Sequence, residues 1–166
     1  DLDEVAARSH RLAATAWETG RFDTSVVPVR DETGAILLAR DENIRPDASS
    51  RSLAQLPPVF EAPGEAGYDF VALGRYPDVA TIAHNHTAGN SSAIVDGAAL
   101  VLIASEEMAV RQGLAPRARI VSAAVCGSEP TIMLTGPAPA ARKALAQAGL
   151  TFDDIDLFEV NEAFAA

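Results

Sequence analysis

The sequence predicts an α/β fold with helices packed on a sheet, and three observations carry that reading. From residue 79 onward, strand-length apolar runs alternate with segments at helical spacing, in the order strand–helix–strand–helix–strand–helix. Residues 98–104 are continuously apolar, as a strand covered on both faces requires. Hydrophobic residues make up 48% and charged residues 22% of 166 residues, enough apolar material for one core and too much for a disordered chain.

The elements follow in order. Leu2, Val5, Ala6, Ser9, Leu12, Ala13, Ala16 and Trp17 fall at helical spacing, and Gly20 supplies a stop, so residues 2–19 form the first helix. Two short strands, 26–29 and 35–39, flank the turn-forming run Asp31-Glu32-Thr33-Gly34. Residues 40–60 are loop-like, with one short helix near 49–56 ended by Pro57-Pro58, and 61–78 are expected as surface loop. Strands are expected at 79–83, 98–105, 118–126 and 155–160. Ser105 caps a helix carrying Glu106 and Glu107 in its first turn, and Gly113 and Pro116 close it. A further helix spans 137–148, with proline in its first turn and Gly149 past its end. Asn161 begins a last helix that runs only to Ala166; a one-turn helix has no stability alone, so the chain reads as an internal piece of a longer protein.

Charge and composition exclude several functions. Thirteen basic against 23 acidic residues give net −10, which argues against a nucleic-acid or anionic-membrane binder. The longest apolar stretch is far short of the roughly 20 residues a membrane span needs. The chain start has no cationic segment followed by an apolar one, so a cytosolic compartment is the default. A single cysteine makes neither an internal disulfide nor a cysteine-built zinc site.

Several residues are candidates for chemistry. Thr87-Ala88-Gly89-Asn90-Ser91-Ser92 is a run of small hydrogen-bonding residues ahead of a predicted strand; it is either a plain turn or a place where a ligand approaches the backbone closely. Asn161 lies where a strand ends and a helix begins, the edge at which α/β sheets bind ligands, and is either a helix cap or an amide aimed at a developing oxyanion. His84 and His86 alternate and would share one face of a strand, but no third ligand lies nearby and no metal site is assigned. Cys126 reads as a buried small hydrophobe, and Asp153, Asp154, Asp156 and Glu159 as a solvated lead-in to a strand. Arg40, Arg45 and Arg51, interleaved with Ser49, Ser50 and Ser52, form the one basic cluster, which is either ordinary surface charge or a grip for a phosphorylated small molecule.

Together these segments resemble the thiolase family, the acyltransferases that make or cleave 3-ketoacyl-CoA. The resemblance rests on Asp41-Glu42-Asn43-Ile44-Arg45-Pro46, Ser52-Leu53-Ala54-Gln55-Leu56-Pro57-Pro58-Val59-Phe60, Thr87-Ala88-Gly89-Asn90-Ser91-Ser92, Asp96-Gly97-Ala98-Ala99, Met133 with Thr135-Gly136-Pro137, and Asn161-Glu162-Ala163-Phe164-Ala165. The stretch from Glu61 to His86, with Asp69-Phe70-Val71-Ala72-Leu73, is similar to the β subunit of bacterial fatty-acid oxidation complexes. It implies an incomplete thiolase-like layered sheet-and-helix fold: 1–78 as the later part of an inserted loop domain, 79–116 as the end of the N-terminal half, and 117–166 as the start of the C-terminal half.

The resemblance implies roles as well. Asn161 would hold an oxyanion-hole water, Ser92 would hydrogen-bond the pantetheine arm, and Ala88 would lie beside it. Phe60, Met133 and Phe164 would wall the channel, and Arg45 and Ser52 would lie near the ADP end of coenzyme A. Ala93 stands where the family usually has glycine. Coenzyme A enters as substrate, and no cofactor or metal is implied. A homodimer is implied for the parent protein, with a hydratase/dehydrogenase subunit as its partner in an oxidation complex. The acyl-accepting cysteine and the catalytic histidine and second cysteine have no match here, so the 166-residue chain alone is expected to be inactive. The alternative is a thiolase-like protein that binds coenzyme A or acyl-CoA without catalysis.

Overall fold

The computed structural model describes residues 1–165, which divide into two compact units: Asp1–Ile94 with the segment from Glu162, and Val95–Asn161. Among the described residues, no helix is long and apolar enough to cross a membrane.

In the first unit, helix α1 (Leu2–Glu18) carries Asp3 and Glu4 in its first turn, where the helix dipole favours acids. It buries Ala7 and Ala14, small residues that allow close packing. Gly20 (φ +70°) ends it, and Trp17 folds onto Phe22 with ring centres 5.2 Å apart. The hairpin β1 (Val29–Arg30) and β2 (Ile36–Leu38) is antiparallel, pairing Val29 with Leu38 and Arg30 with Ile36 across an irregularity. Its turn is built on Asp31, whose Oδ1 accepts from the Thr33 hydroxyl (2.7 Å), Thr33 N–H (2.8 Å) and Ala35 N–H (2.9 Å). Helix α2 (Ser50–Leu53) is capped by Ser49 and buries Leu53.

Residues 61–78 depart from the expected loop. They form α3 (Glu61–Pro63), a wide turn at Gly64–Tyr68 kinked at Gly67 (φ +123°), and α4 (Asp69–Arg75). Proline in the first turn is helix-compatible, and Asp69 opens a helical run through Phe70, Val71, Ala72 and Leu73, so the Gly/Pro content marks a kink rather than an absence of helix.

In the second unit, α5 (Glu106–Arg111) begins as expected, with the Ser105 hydroxyl accepting from Met108 N–H at 3.2 Å. Helix α6 (Pro137–Ala148) has its predicted bounds and closes at Gly149 (φ +70°), where Leu150 N–H donates to the Leu145 carbonyl. Segment 118–126 is tied to α6 by Ser122 to Gln147 (3.2 Å) and Lys143 to the Val125 carbonyl (3.1 Å).

Four predicted strands do not form ladders. Segments 79–83, 98–105, 118–126 and 155–160 make no strand pairing among the described residues, and Leu100 and Val101 are 98% and 77% exposed. Apolar composition marks a segment for burial in a sheet, but a strand exists only with a hydrogen-bonded neighbour. Among the described residues the expected helix at Asn161 does not form either. The chain instead pairs as a short antiparallel bridge, Phe164 against Ser91. Cys126, expected buried, is exposed, because the strand meant to bury it has no sheet around it.

The Asp31 carboxyl is held below its ordinary pKa, chiefly by the Thr33 hydroxyl. A depressed carboxylate contributes stability above its unfolded pKa and loses it as pH falls through the folded one. We expect an NMR titration of Asp31 to give a midpoint below that of an unstructured aspartate, with Thr33→Val moving it back up. A wild-type midpoint at the ordinary value would contradict the turn geometry.

Candidate active site

The loop predicted as a ligand cradle is fastened by the hydrogen bonds of Asn90. The side chain is 3% exposed. Its Oδ1 accepts from Thr87 N–H at 2.8 Å, while Nδ2 donates to the Asn85 carbonyl (3.1 Å) and to Asp3 Oδ1 of α1 (2.9 Å). Its carbonyl accepts from Ala165 N–H at 3.0 Å, and Ser92 N–H donates to the Ala163 carbonyl at 2.9 Å. The loop is thus fastened to α1 on one side and to 163–165 on the other. Gly89 lies against Leu53 and Leu56: a β-carbon there would come within 2.6 Å and 2.5 Å of their methyl groups.

Beside this loop is a cavity of about 180 Å³. Arg45, Ala88 and Ser92, three of the predicted binding residues, line it, together with Ser9 and His10 of α1 and Glu162. His10 Nδ1 accepts from Arg45 N–H at 3.2 Å, and the Ser9 hydroxyl donates to Glu162 at 2.6 Å. The Ser91 hydroxyl, also at the lining, is sealed from solvent without a hydrogen-bond partner among the described residues. The residues lining the cavity thus include one arginine, one glutamate and three serines, a polar lining with a single cation for an anionic group.

Phe60 and Phe164, predicted to wall one channel, come together: their ring centres are 5.8 Å apart. His86 sits edge-on to both, 6.3 Å from Phe60 and 5.2 Å from Phe164. The Pro58–Thr87 bridge and a 2.8 Å bond from Val59 N–H to the His86 carbonyl hold the two segments in register.

Other predicted residues fall elsewhere. The Ser52 hydroxyl is engaged in the α2 cap, accepting from Ser49 N–H and donating to the Ser49 carbonyl. Met133 and Asn161 belong to the second unit, and both are exposed. Met133 has φ +53°, and its carbonyl accepts from Ser128. The Asn161 amide makes no hydrogen bond among the described residues, and its neighbour Glu162 lines the cavity. His84 does not share a ligand with His86: its Nε2 meets Asp69 Oδ2 at 2.9 Å across Gly64, while His86 turns to the phenylalanines. Sequence reasoning missed Ser9, His10 and Glu162 as cavity residues. Ser9 lies on the helix face that periodicity assigns to packing, and His10 follows it in the chain.

Comparisons with known proteins point to one family. The family model "Thiolase, N-terminal domain" matches residues 1–67, and "Thiolase, C-terminal domain" matches 114–166. The 3-ketoacyl-CoA thiolase of Marinobacter nauticus is 45% identical over 166 residues, covering 98% of this chain and 38% of that protein. That of a Marinomonas species is 46% identical, covering 100% and 38%. Among solved structures, the acetyl-CoA acetyltransferase of Bacillus anthracis is 40% identical with a TM-score of 0.78, covering 99% of this chain and 37% of its own. The dimeric peroxisomal thiolase of Saccharomyces cerevisiae is 34% identical with a TM-score of 0.80, covering 99% and 36%. The chain belongs to the thiolase family. It carries part of the layered thiolase fold and spans 38% of the length of the curated relatives it matches.

Truncating Asn90 strips its partners in a buried loop. Asn90→Ala is expected to lower unfolding stability by about 1–3 kcal/mol, read as a lower urea midpoint at unchanged slope. A loss under about 0.5 kcal/mol would mean that the loop is held by something else.

Proposed function

We propose that the whole protein to which this sequence belongs is a thiolase acting on 3-ketoacyl-CoA in fatty-acid oxidation, with coenzyme A as second substrate and no metal or cofactor. The observation that carries the reading is the cavity that brings Arg45 together with Ala88 and Ser92, with Ser91 of its lining bridged to Phe164 of the Phe60–Phe164 pair. Curated relatives named 3-ketoacyl-CoA thiolase support it.

In this reading a cysteine thiolate, contributed by residues outside these 166, attacks the keto carbonyl. The bond between C2 and C3 breaks, the acyl group stays on sulfur, and the acetyl-CoA carbanion takes a proton. The thiolate of a second coenzyme A then attacks the acyl-cysteine and regenerates the free thiolate. This chain's residues bind and polarise. Ser92 and Ala88 receive the pantetheine arm, Phe60 and Phe164 exclude water from it, and Arg45 meets the phosphorylated end; Met133 is assigned to the channel by the resemblance alone. The Ser52 hydroxyl, already committed to the α2 cap, contributes less there than its position in the motif implies. Asn161 holds a water that stabilises charge growing on the thioester oxygen.

The same reading divides the chain into loop domain (1–78), N-terminal half (79–116) and C-terminal half (117–166), supported by the C-terminal family model beginning at residue 114. It also makes the whole protein a cytoplasmic homodimer, supported by the yeast relative being dimeric, and a candidate partner of a hydratase/dehydrogenase subunit.

In the whole protein, Asn161→Ala is expected to lower kcat by about 10²–10³ with little change in KM. Arg45→Ala is expected to raise KM for coenzyme A about 3- to 10-fold at unchanged kcat, a modest effect because the guanidinium is exposed. Steady-state kinetics in the thiolytic direction measure both. Binding of coenzyme A without turnover by the whole protein would favour the non-catalytic reading instead.

A further inference from the structure

Among the described residues, the imidazole of His86 is the polar ring in the aromatic cluster with Phe60 and Phe164. It is half-buried, edge-on to Phe164 at 82° and to Phe60 at 69°. Its backbone is held by Val59 N–H and by the Pro58–Thr87 bridge, so the ring is positioned from both sides. The ring nitrogens hydrogen-bond nothing among the described residues, yet they are not among the buried polar atoms left without a partner, so they reach solvent. Phe60 is 43% exposed, so part of this aromatic cluster is open to solvent and a ligand can cover it.

We propose that His86 is a substrate-binding residue: flanked by Phe60 and Phe164, its imidazole hydrogen-bonds a secondary amide of the pantetheine arm lying along those rings. The inference rests on the thiolase reading above and deepens it. A pantetheine arm laid on two phenylalanines loses water from its amides, and an amide desolvated without a partner is costly. A neutral imidazole offers one donor and one acceptor, so it satisfies an amide through either its N–H or its carbonyl. The two rings fix the imidazole in place before the ligand arrives, which reduces the entropy lost on binding.

Two substitutions separate hydrogen bonding from ring packing. His86→Phe keeps an edge-on ring and removes the polar atoms, whereas His86→Gln keeps a donor and an acceptor without the ring. In the whole protein, His86→Phe is expected to raise KM for coenzyme A about 3- to 10-fold with kcat within about twofold of wild type, and His86→Gln to recover most of the loss. Direct titration with coenzyme A should give the same ratios in Kd. An unchanged KM and Kd in His86→Phe, with wild-type protein binding coenzyme A normally, overturns the contact and leaves the thiolase reading standing. Equal losses in both variants also overturn it, since ring shape would then be what matters. A wild-type protein that neither binds nor turns over coenzyme A overturns the thiolase reading and the contact with it.

Discussion

The first unit depends on the carboxamide of Asn90. One buried side chain pairs with three groups: the buried Thr87 N–H, the Asn85 carbonyl and one oxygen of Asp3. A buried donor or acceptor left alone costs about 1–3 kcal/mol, so the Thr87 N–H and the Asn90 carboxamide favour the arrangement in which they meet. Asp3 serves the α1 dipole and receives Asn90 at once, which sets the position of the helix against the loop. The Asn90 carbonyl then receives Ala165 N–H, so the cavity residues Ser92 and Glu162 lie on segments that share one anchor.

The extended segments of the second unit follow a different logic. Their backbone belongs to a chain that overlays solved thiolases with TM-scores of 0.78 and 0.80, yet they form no ladder among the described residues and leave Leu100, Val101, Val125 and Leu157 exposed. Local features still hold there: the Ser105 cap and the left-handed Gly149 need only their own neighbours. The chain spans 38% of the length of its curated relatives, and sheet pairing is the property most sensitive to which neighbours are in reach.

The site was legible in proportion to how its residues report themselves. Arg45 stood out as cationic in an acidic chain, and Ala88 and Ser92 as members of a run of small residues; the cavity collects all three. Phe60 and Phe164 were named only through the family's motif, and the structure pairs them. Ser52 was legible as a hydroxyl among arginines, but its position at the third residue of a short helix commits it to the cap. Ser9 and His10 were invisible because nothing in a helix's periodicity distinguishes a face turned to a cavity from one turned to a core.

What the sequence determined by itself was local. The bounds of α1 and α6, the Ser105 cap, the Asp31 turn and the Gly149 stop all arise from hydrogen bonds spanning two to five residues, whose partners are written side by side in the chain. Tertiary structure decided everything that joins distant residues: Asn90 to Asp3, Ser9 to Glu162, His86 to Phe164, and which apolar runs find a sheet to enter. The physical reason is that a helix carries its hydrogen-bond partners within itself, whereas a strand, a cavity or an aromatic wall must find them in another part of the chain.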